Sequence, residues 1–190
     1  MGGIIAQTAA MRIIACAGDR VDGRETDGLH DAMRILGAQG IMGAMPDQRF
    51  EMVPLLTLTR FIEQQIALDQ PDTIFTHWPH DLNADHRRVA EAVLVACRPC
   101  HWQGRLYAFE TPSSTEWAPH LPAFQPTTFM AVSEAAMEKK LAAWACYTTE
   151  QRDWPHPRSP EALRARGRYW ASIAGMPEYC EPLVLLREIS

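Results

Sequence analysis

The chain has 190 residues, of which 47% are hydrophobic, 8% aromatic and 22% charged, a composition typical of a globular protein with one hydrophobic core. Eighteen Lys and Arg against 23 Asp and Glu give a formal net charge of -5, so the basic surface on which nucleic-acid binding usually depends is missing. No uncharged apolar run approaches the ~20 residues that a membrane span needs. We therefore expect a single domain, residues 1–190, that binds no nucleic acid and does not span a membrane.

Short apolar runs that favour β-structure alternate along the chain with segments whose apolar residues recur at helical spacing. This alternation is typical of a mainly parallel sheet covered by helices. The predicted strands are residues 11–17, 72–76, 105–109 and 127–132. The predicted helices are residues 25–36, 55–68, 85–97, 134–146 and 160–174.

Capping residues and prolines define the boundaries in the second half of the chain. Ser133 and Ser159 are good N-caps for the last two helices, and Gly175 is placed to end the final one. Four prolines between residues 112 and 126 exclude regular structure there, so we expect a loop.

Cysteine content and the N-terminal residues indicate the compartment. Five cysteines, an odd number, argue against a disulfide framework and fit a reducing environment. The run Ile13-Ile14-Ala15-Cys16 is similar to a lipoprotein cleavage site, but no basic residue precedes the apolar stretch and Arg12 interrupts it. We therefore expect a cytoplasmic protein.

The densest polar cluster runs from Thr76 to Arg88 and contains three His, two Asp and one Asn. It lies where a predicted strand ends and the next helix begins, which is where open α/β sheets place their ligand sites. Imidazole and carboxylate groups supply metal ligands and transfer protons, and the amides at a helix N-terminus stabilise a developing oxyanion. The alternative is a polar loop with an Asn or Asp helix cap.

A second pattern, Cys97-Arg98-Pro99-Cys100-His101, matches a redox pair and also a haem attachment site. The redox interpretation requires the first cysteine at a helix N-terminus, where its thiolate is stabilised. Here the pair falls at the end of a predicted helix, so chance is the better explanation, with a structural zinc site as a further alternative.

Pro46-Asp47-Gln48-Arg49 follows an apolar run and precedes a predicted helix, which is compatible with the same edge of the sheet. Asp47 and Arg49 suit recognition of hydroxyl or carboxylate groups. A simple turn explains them equally well.

The run from His77 to Val89 resembles the second signature of the PIG-L/LmbE-type N-deacetylases, whose members often read Thr-His-His-Pro-x-Asp-Leu-Asn-x-Asp-His-Arg. Residues 45–50, 158–163 and 175–183 also look similar, so the resemblance covers nearly all of the chain from about Gly18. It implies a Rossmann-like αβα sandwich. It further implies zinc-dependent hydrolysis of the N-acetyl group of a small molecule, commonly an N-acetylglucosamine-type sugar. A homo-oligomer is compatible with the resemblance, but the sequence does not determine the oligomeric state.

The resemblance also implies roles for individual residues. His86 matches the family's downstream zinc ligand, and Asp85 beside it would tune that ligand. Asn83 stands where some members have a histidine proposed to stabilise the tetrahedral oxyanion or to act as general acid. Asp85 and Asn83 are therefore the predicted catalytic residues.

The remaining positions of the signature are expected to contact substrate. Trp78 stands where many members have a second histidine, and His80 occupies a usually small position. Asp81 matches the family's aspartate. The predicted substrate-binding residues are Asp47, Arg49, His77, His80 and Asp81.

One element of the family pattern is not found in the sequence. Family members begin with a strand followed by Ala-His-Pro-Asp-Asp-Glu, which supplies two zinc ligands and the general base, and then continue Gly-Gly-x-Ile-Ala. Residues 1–6 are similar to that continuation, so we expect the first strand and the His-Pro-Asp-Asp element to be missing. A catalytic zinc keeps three protein ligands, and without a base nothing removes the proton of its water. The chain of 190 residues is therefore expected to be inactive as it stands.

Three hypotheses follow. The first is a zinc N-deacetylase whose true start lies upstream. The second is a non-catalytic homologue that binds a sugar or a protein partner. The third is a redox or haem role through Cys97 and Cys100.

Overall fold

A computed structural model describes residues 1–8, 12–19 and 27–189, without the side chains of residues 15–19 and 27, and shows a mixed α/β fold. The helices are α1 (Gly2–Gln7), α2 (Asp27–Leu36), α3 (Leu55–Asp69), α4 (Ala84–Ala96), α5 (Glu134–Ala145) and α6 (Pro160–Ala174). The strands are β1 (Arg12–Asp19), β2 (Gln39–Pro46), β3 (Thr73–His77), β4 (Arg105–Phe109), β5 (Thr128–Val132) and β6 (Tyr179–Glu188). A 3-10 turn spans Phe50–Met52. None of the helices in these ranges is long and apolar enough to cross a membrane.

The predicted elements are all present, and their ends differ by no more than two residues where the structure describes them. Residues 11, 25 and 26 lie outside the described residues. The segment with four prolines forms no helix or strand, as expected. The apolar pattern of the sequence did not predict α1, β2 and β6, and only the resemblance of residues 1–6 to the family's run into its first helix indicated α1. Glycines weaken the strand pattern in β2, and Pro182 lies inside β6 although proline disfavours strands.

The predicted helix caps are confirmed. The hydroxyls of Ser133 and Ser159 accept hydrogen bonds from the backbone N–H groups of Ala136 and Ala162, and so satisfy donors that the first turns of α5 and α6 leave unpaired. Gly175 ends α6 with φ 67°, in the left-handed region that glycine adopts without strain.

The chain divides into two compact units. The first comprises Met1–Gly43 and Phe129–Pro182, and the second comprises Ala44–Thr128 and Leu183–Ser190. Strand β6 contributes residues to both. The single domain expected over residues 1–190 stays a prediction.

In the first unit, α1 and α2 pack against α5. Ala32, Leu36 and Ala143 form a small apolar cluster there. Two of these three residues are alanines, whose small side chains allow the helices to approach closely.

A buried carboxylate, Glu181, holds α1 in the first unit. Its side chain accepts hydrogen bonds from the backbone N–H groups of Gly3 (3.1 Å) and Ile4 (3.1 Å). The Lys140 ammonium lies 2.7 Å away and the Met1 amino group 3.0 Å away. Burial alone would raise the pKa of Glu181, but the two cationic groups outweigh it and hold this pKa well below its ordinary value of 4.5.

In the second unit, β3 and β4 are parallel, with the register running from Thr73↔Arg105 to His77↔Phe109. Strand β4 pairs antiparallel with β6, so the parallel arrangement predicted from the sequence holds for β3 and β4 and not for β6. Because β3 and β4 point the same way, the loops that follow them leave from the same edge of the sheet. Helix α4 follows β3 and packs on it.

Candidate functional site

The polar cluster predicted from the sequence lies at the carboxyl ends of β3 and β4. His77 is the last residue of β3 and pairs with Phe109, the last residue of β4. The backbone N–H of Trp78 donates to the carbonyl of Phe109 at 3.1 Å. The loop after β3, residues 78–83, is thereby brought against the loop after β4.

Asp81 is the centre of this site. Its carboxylate is completely buried and accepts four hydrogen bonds. Oδ1 accepts from the backbone N–H of Asn83 (2.9 Å), from the Ser114 hydroxyl and from Nδ1 of His86 (3.1 Å). Oδ2 accepts from the Thr115 hydroxyl at 2.8 Å.

These donors keep Asp81 ionised. Burial alone would raise the pKa of Asp81, but the hydrogen bonds from His86, Ser114 and the Asn83 backbone outweigh it and lower this pKa. An ionised acceptor at Nδ1 favours the form of the His86 ring that carries a proton there. The Nε2 lone pair is then the one that faces away from Asp81 and can bind a ligand.

His77 and His86 form a stacked pair. Their ring centroids are 4.0 Å apart and the ring planes differ by 5°. Burial and, after it, the neighbouring His86 lower the pKa of His77 to about 3, although Asp81 partly opposes the shift. His77 is therefore a neutral imidazole near neutral pH, and its Nδ1 lies 3.4 Å from the hydroxyl of Thr111.

The two predicted catalytic residues lie at the start of α4. Asn83 caps this helix, because its Oδ1 accepts from the backbone N–H of Asp85 at 2.8 Å. Asp85 is buried, and its Oδ1 accepts from the backbone N–H of Phe50 at 3.1 Å. Its Oδ2 has no hydrogen-bond partner within the described part of the chain. The carboxylate that contacts the His86 ring is thus that of Asp81, while Asp85 ties α4 to the 3-10 turn.

The other predicted substrate-binding residues are placed as follows. Asp47 and Arg49 lie in the turn between β2 and the 3-10 turn, with Arg49 exposed, and the Phe50–Asp85 hydrogen bond ties this segment to α4. His80 packs against the edge of Trp78, with ring centroids 5.3 Å apart. The contacts of His86 described above are with Asp81 and His77.

The His and Asp side chains of the site can be compared with the ligands that a zinc ion requires. A metal-binding histidine usually donates its second ring N–H to a carboxylate, and His86 fits this pattern through Asp81. However, among the side chains described in residues 1–8, 12–14 and 28–189 no three His, Cys, Asp or Glu groups lie close enough to hold a metal. These side chains therefore do not form a complete zinc site.

Sequence reasoning missed Thr111, Ser114 and Thr115, which reach the site from the loop after β4. Their position in the sequence, just after a predicted strand, could have identified them. Four of the five residues 111–115 are Ser or Thr, and they follow a predicted strand closely. If that strand is parallel to and beside β3, its loop must meet the histidine cluster at the sheet edge.

The cysteine pair has a structure that disfavours redox chemistry. Cys97 is buried at the C-terminal end of α4, and Cys100 is exposed. Burial raises the pKa of the Cys97 thiol to about 12, although Arg187 partly opposes the shift.

We expect iodoacetamide at about pH 8 to alkylate Cys100 in the folded chain and to leave Cys97 unmodified, since only a thiolate reacts. Peptide mass spectrometry checks this, with both sites modified in urea as the control. A reversible Cys97–Cys100 disulfide would contradict the expectation.

The fold and the site together define an α/β protein with a carboxylate-held histidine at the carboxyl edge of parallel strands. Residues 9–97 match the family model described as PIG-L: GlcNAc-PI de-N-acetylase. The match contains β3 and the site residues from Asp47 to His86, and it ends before Thr111, Ser114 and Thr115. The resemblance seen in the sequence is thereby confirmed. The sequence matches no curated protein.

Solved structures with the same fold include proteins of different activity. The conserved protein TT1542 from Thermus thermophilus has 21% identity and a TM-score of 0.76, with 100% of this chain and 89% of that chain covered. GalB, the 4-carboxy-2-hydroxymuconate hydratase from Pseudomonas putida KT2440, has 22% identity and a TM-score of 0.73, covering 100% and 90%. N,N'-diacetylchitobiose deacetylase from Pyrococcus horikoshii has 15% identity and a TM-score of 0.72, covering 98% and 78%. At these identities the likeness shows the fold, and the reaction has to be argued from the site.

Proposed function

We propose that this chain is a deacetylase-type domain for the N-acetyl group of a small-molecule amide, of which N-acetylglucosamine is the simplest example. The observation that carries the proposal is the contact between Asp81 and Nδ1 of His86, which lies inside the segment that matches the PIG-L family. The likeness in fold to a diacetylchitobiose deacetylase supports the same substrate class.

We propose zinc as the cofactor and His86 as one of its ligands, bound through Nε2. Zinc bound there would act as a Lewis acid on the amide carbonyl and would make water a stronger acid. Its remaining ligands would have to come from outside the side chains that the structure describes. Because the sequence contains no His-Pro-Asp-Asp element, we propose that the chain of 190 residues does not hydrolyse the amide by itself.

The chain's own residues prepare the site in other ways. Asp81 fixes the His86 ring, and the neutral His77 covers one of its faces. Asn83 is held by its cap to α4, which leaves its amide NH₂ as a donor for a substrate oxygen. These roles are compatible with hydrolysis and equally with binding alone, and so a non-catalytic homologue that binds a sugar is the second candidate.

Metal content and acetate release test the proposal. The chain is equilibrated with zinc, desalted and subjected to elemental analysis, and acetate release from N-acetylglucosamine is measured alongside. His86→Ala is compared with His101→Ala, because His101 is exposed beyond the opposite end of α4. We expect well under one zinc per chain and no acetate, because the His-Pro-Asp-Asp element that supplies two zinc ligands and the base is missing from the sequence.

Two other outcomes of this experiment would contradict parts of the proposal. About one zinc per chain that is lost in His86→Ala and kept in His101→Ala, together with acetate release, would establish the hydrolase and overturn the proposed inactivity. Zinc that survives His86→Ala and disappears in His101→Ala would contradict His86 as the ligand.

A further inference from the structure

The residues that hold Asp81 belong to a compact turn, Thr111–Thr115, which we call the hydroxyl turn. The carbonyl of Thr111 accepts from the backbone N–H groups of Ser114 (3.1 Å) and Thr115 (2.9 Å). In return, the Thr115 hydroxyl accepts from the backbone N–H of Thr111 at 2.8 Å. The turn is therefore closed on itself and presents its hydroxyls in fixed directions.

Those hydroxyls reach both members of the stacked histidine pair. Ser114 and Thr115 are both buried. The Ser114 hydroxyl donates a hydrogen bond to Oδ1 of Asp81, and the Thr115 hydroxyl donates one to Oδ2. Asp81 in turn contacts His86, and Thr111 lies beside Nδ1 of His77.

The same turn also fixes the backbone of the loop after β3. The Ser114 carbonyl accepts from the backbone N–H of Leu82 at 3.3 Å, and the Ser114 hydroxyl accepts from that of Asn83 at 3.2 Å. With both oxygens engaged, the Asp81 carboxylate cannot rotate without breaking buried hydrogen bonds, which is costly.

We propose that the hydroxyl turn is the positioning element of this site: through Asp81 it holds the His86 ring in the Nδ1-protonated tautomer, and through Thr111 it orients His77. Ser114 and Thr115 are positioning residues, since they act through Asp81. The proposal rests on the proposed function only in taking Nε2 of His86 as the atom that binds the metal.

The tautomer of His86 is the readout, because a merely structural role of the turn would not change it. Long-range proton–nitrogen correlation spectra, recorded at a pH where the imidazoles are neutral, distinguish the protonated from the unprotonated ring nitrogen. The seven histidines of the chain are assigned by difference, with His86→Gln removing the signals of interest. No metal or substrate is needed.

In the wild-type chain we expect a single His86 tautomer with the proton on Nδ1. Removing the hydroxyls in Ser114→Ala, Thr115→Val and the double variant is expected to give a mixture of tautomers, with the largest change in the double variant. Thr115→Ser, which keeps the hydroxyl, should restore the wild-type pattern. Ser113→Ala is the matched control, because Ser113 belongs to the same turn and its hydroxyl makes none of these contacts.

An unchanged tautomer in the folded double variant would overturn the proposal. Should the double variant fail to fold, an unchanged tautomer in both single variants does the same. The outcome is separate from that of the proposed function. Loss of the single tautomer without any substrate binding would support the positioning role and count against the deacetylase-type site.

Discussion

Asp81→Ala is expected to lower the free energy of unfolding by about 3–5 kcal/mol. The substitution leaves the hydroxyls of Ser114 and Thr115 and the Nδ1 proton of His86 without their acceptor in a buried site. Each buried donor that loses its partner costs roughly 1–3 kcal/mol. Urea unfolding followed by circular dichroism measures the change.

The matched control for this prediction is Asp72→Ala, in the same unit of the chain. The side chain of Asp72 is exposed, so its removal should stay within about 0.5 kcal/mol of the wild type. A loss at Asp81 no larger than the loss at Asp72 would show that the carboxylate does not hold the two loops together.

Glu181→Gln is expected to cost about 3 kcal/mol. The neutral amide cannot neutralise the charge of Lys140, whose side chain is 20% exposed. With one acceptor oxygen in place of two, it also cannot accept all the hydrogen bonds that the backbone N–H groups of Gly3 and Ile4 and the Lys140 ammonium donate to Glu181. The partial exposure of Lys140 puts the loss at the lower end of the range for a broken buried ion pair. Glu188→Gln, at an exposed position of the same strand, is the control. Equal unfolding midpoints in urea for the two variants would contradict this role of Glu181.

The pH dependence of stability follows from the same group. The pKa of Glu181 is lower in the folded chain than its ordinary value of 4.5. Its contribution is therefore complete above about pH 4.5 and is lost as the pH falls toward the folded-state pKa, because the unfolded chain takes up the proton first. The unfolding midpoint of the wild type should fall more steeply below that pH than the midpoint of Glu181→Gln. Parallel curves for the two proteins would contradict the assignment.

Local signals were enough to predict most of the fold. The helices α3, α4 and α6 have apolar residues at helical spacing together with recognisable caps, and these signals depend only on neighbouring residues. Strand β6 was missed because its identity depends on pairing with β4, and Pro182 argued against it locally. The apolar pattern did not reveal helix α1 for a related reason, since six residues are too few for a periodic pattern and Glu181, far along the chain, holds the first turn.

The candidate site was located from the sequence, but the contacts inside it were not. The run from His77 to His86 is contiguous, so a motif could place it at the end of β3. The partner of His86 could not be read in the same way, because Asp85 is its neighbour in sequence while Asp81 is its neighbour in space. Ser114 and Thr115 come from another loop, and only the parallel pairing of β3 with β4 brings them to Asp81.

The most direct test of the account is a titration of the folded chain with N-acetylglucosamine, followed through the imidazole signals of its seven histidines. If the carboxyl edge of β3 and β4 is the ligand site, the signals of His77 and His86 will shift and saturate. Those of the exposed His30 and His101 will stay in place. This result is expected whether or not zinc is bound and whether or not the amide is cleaved. No saturable shift at His77 and His86, or a shift confined to the exposed histidines, would contradict the central claim.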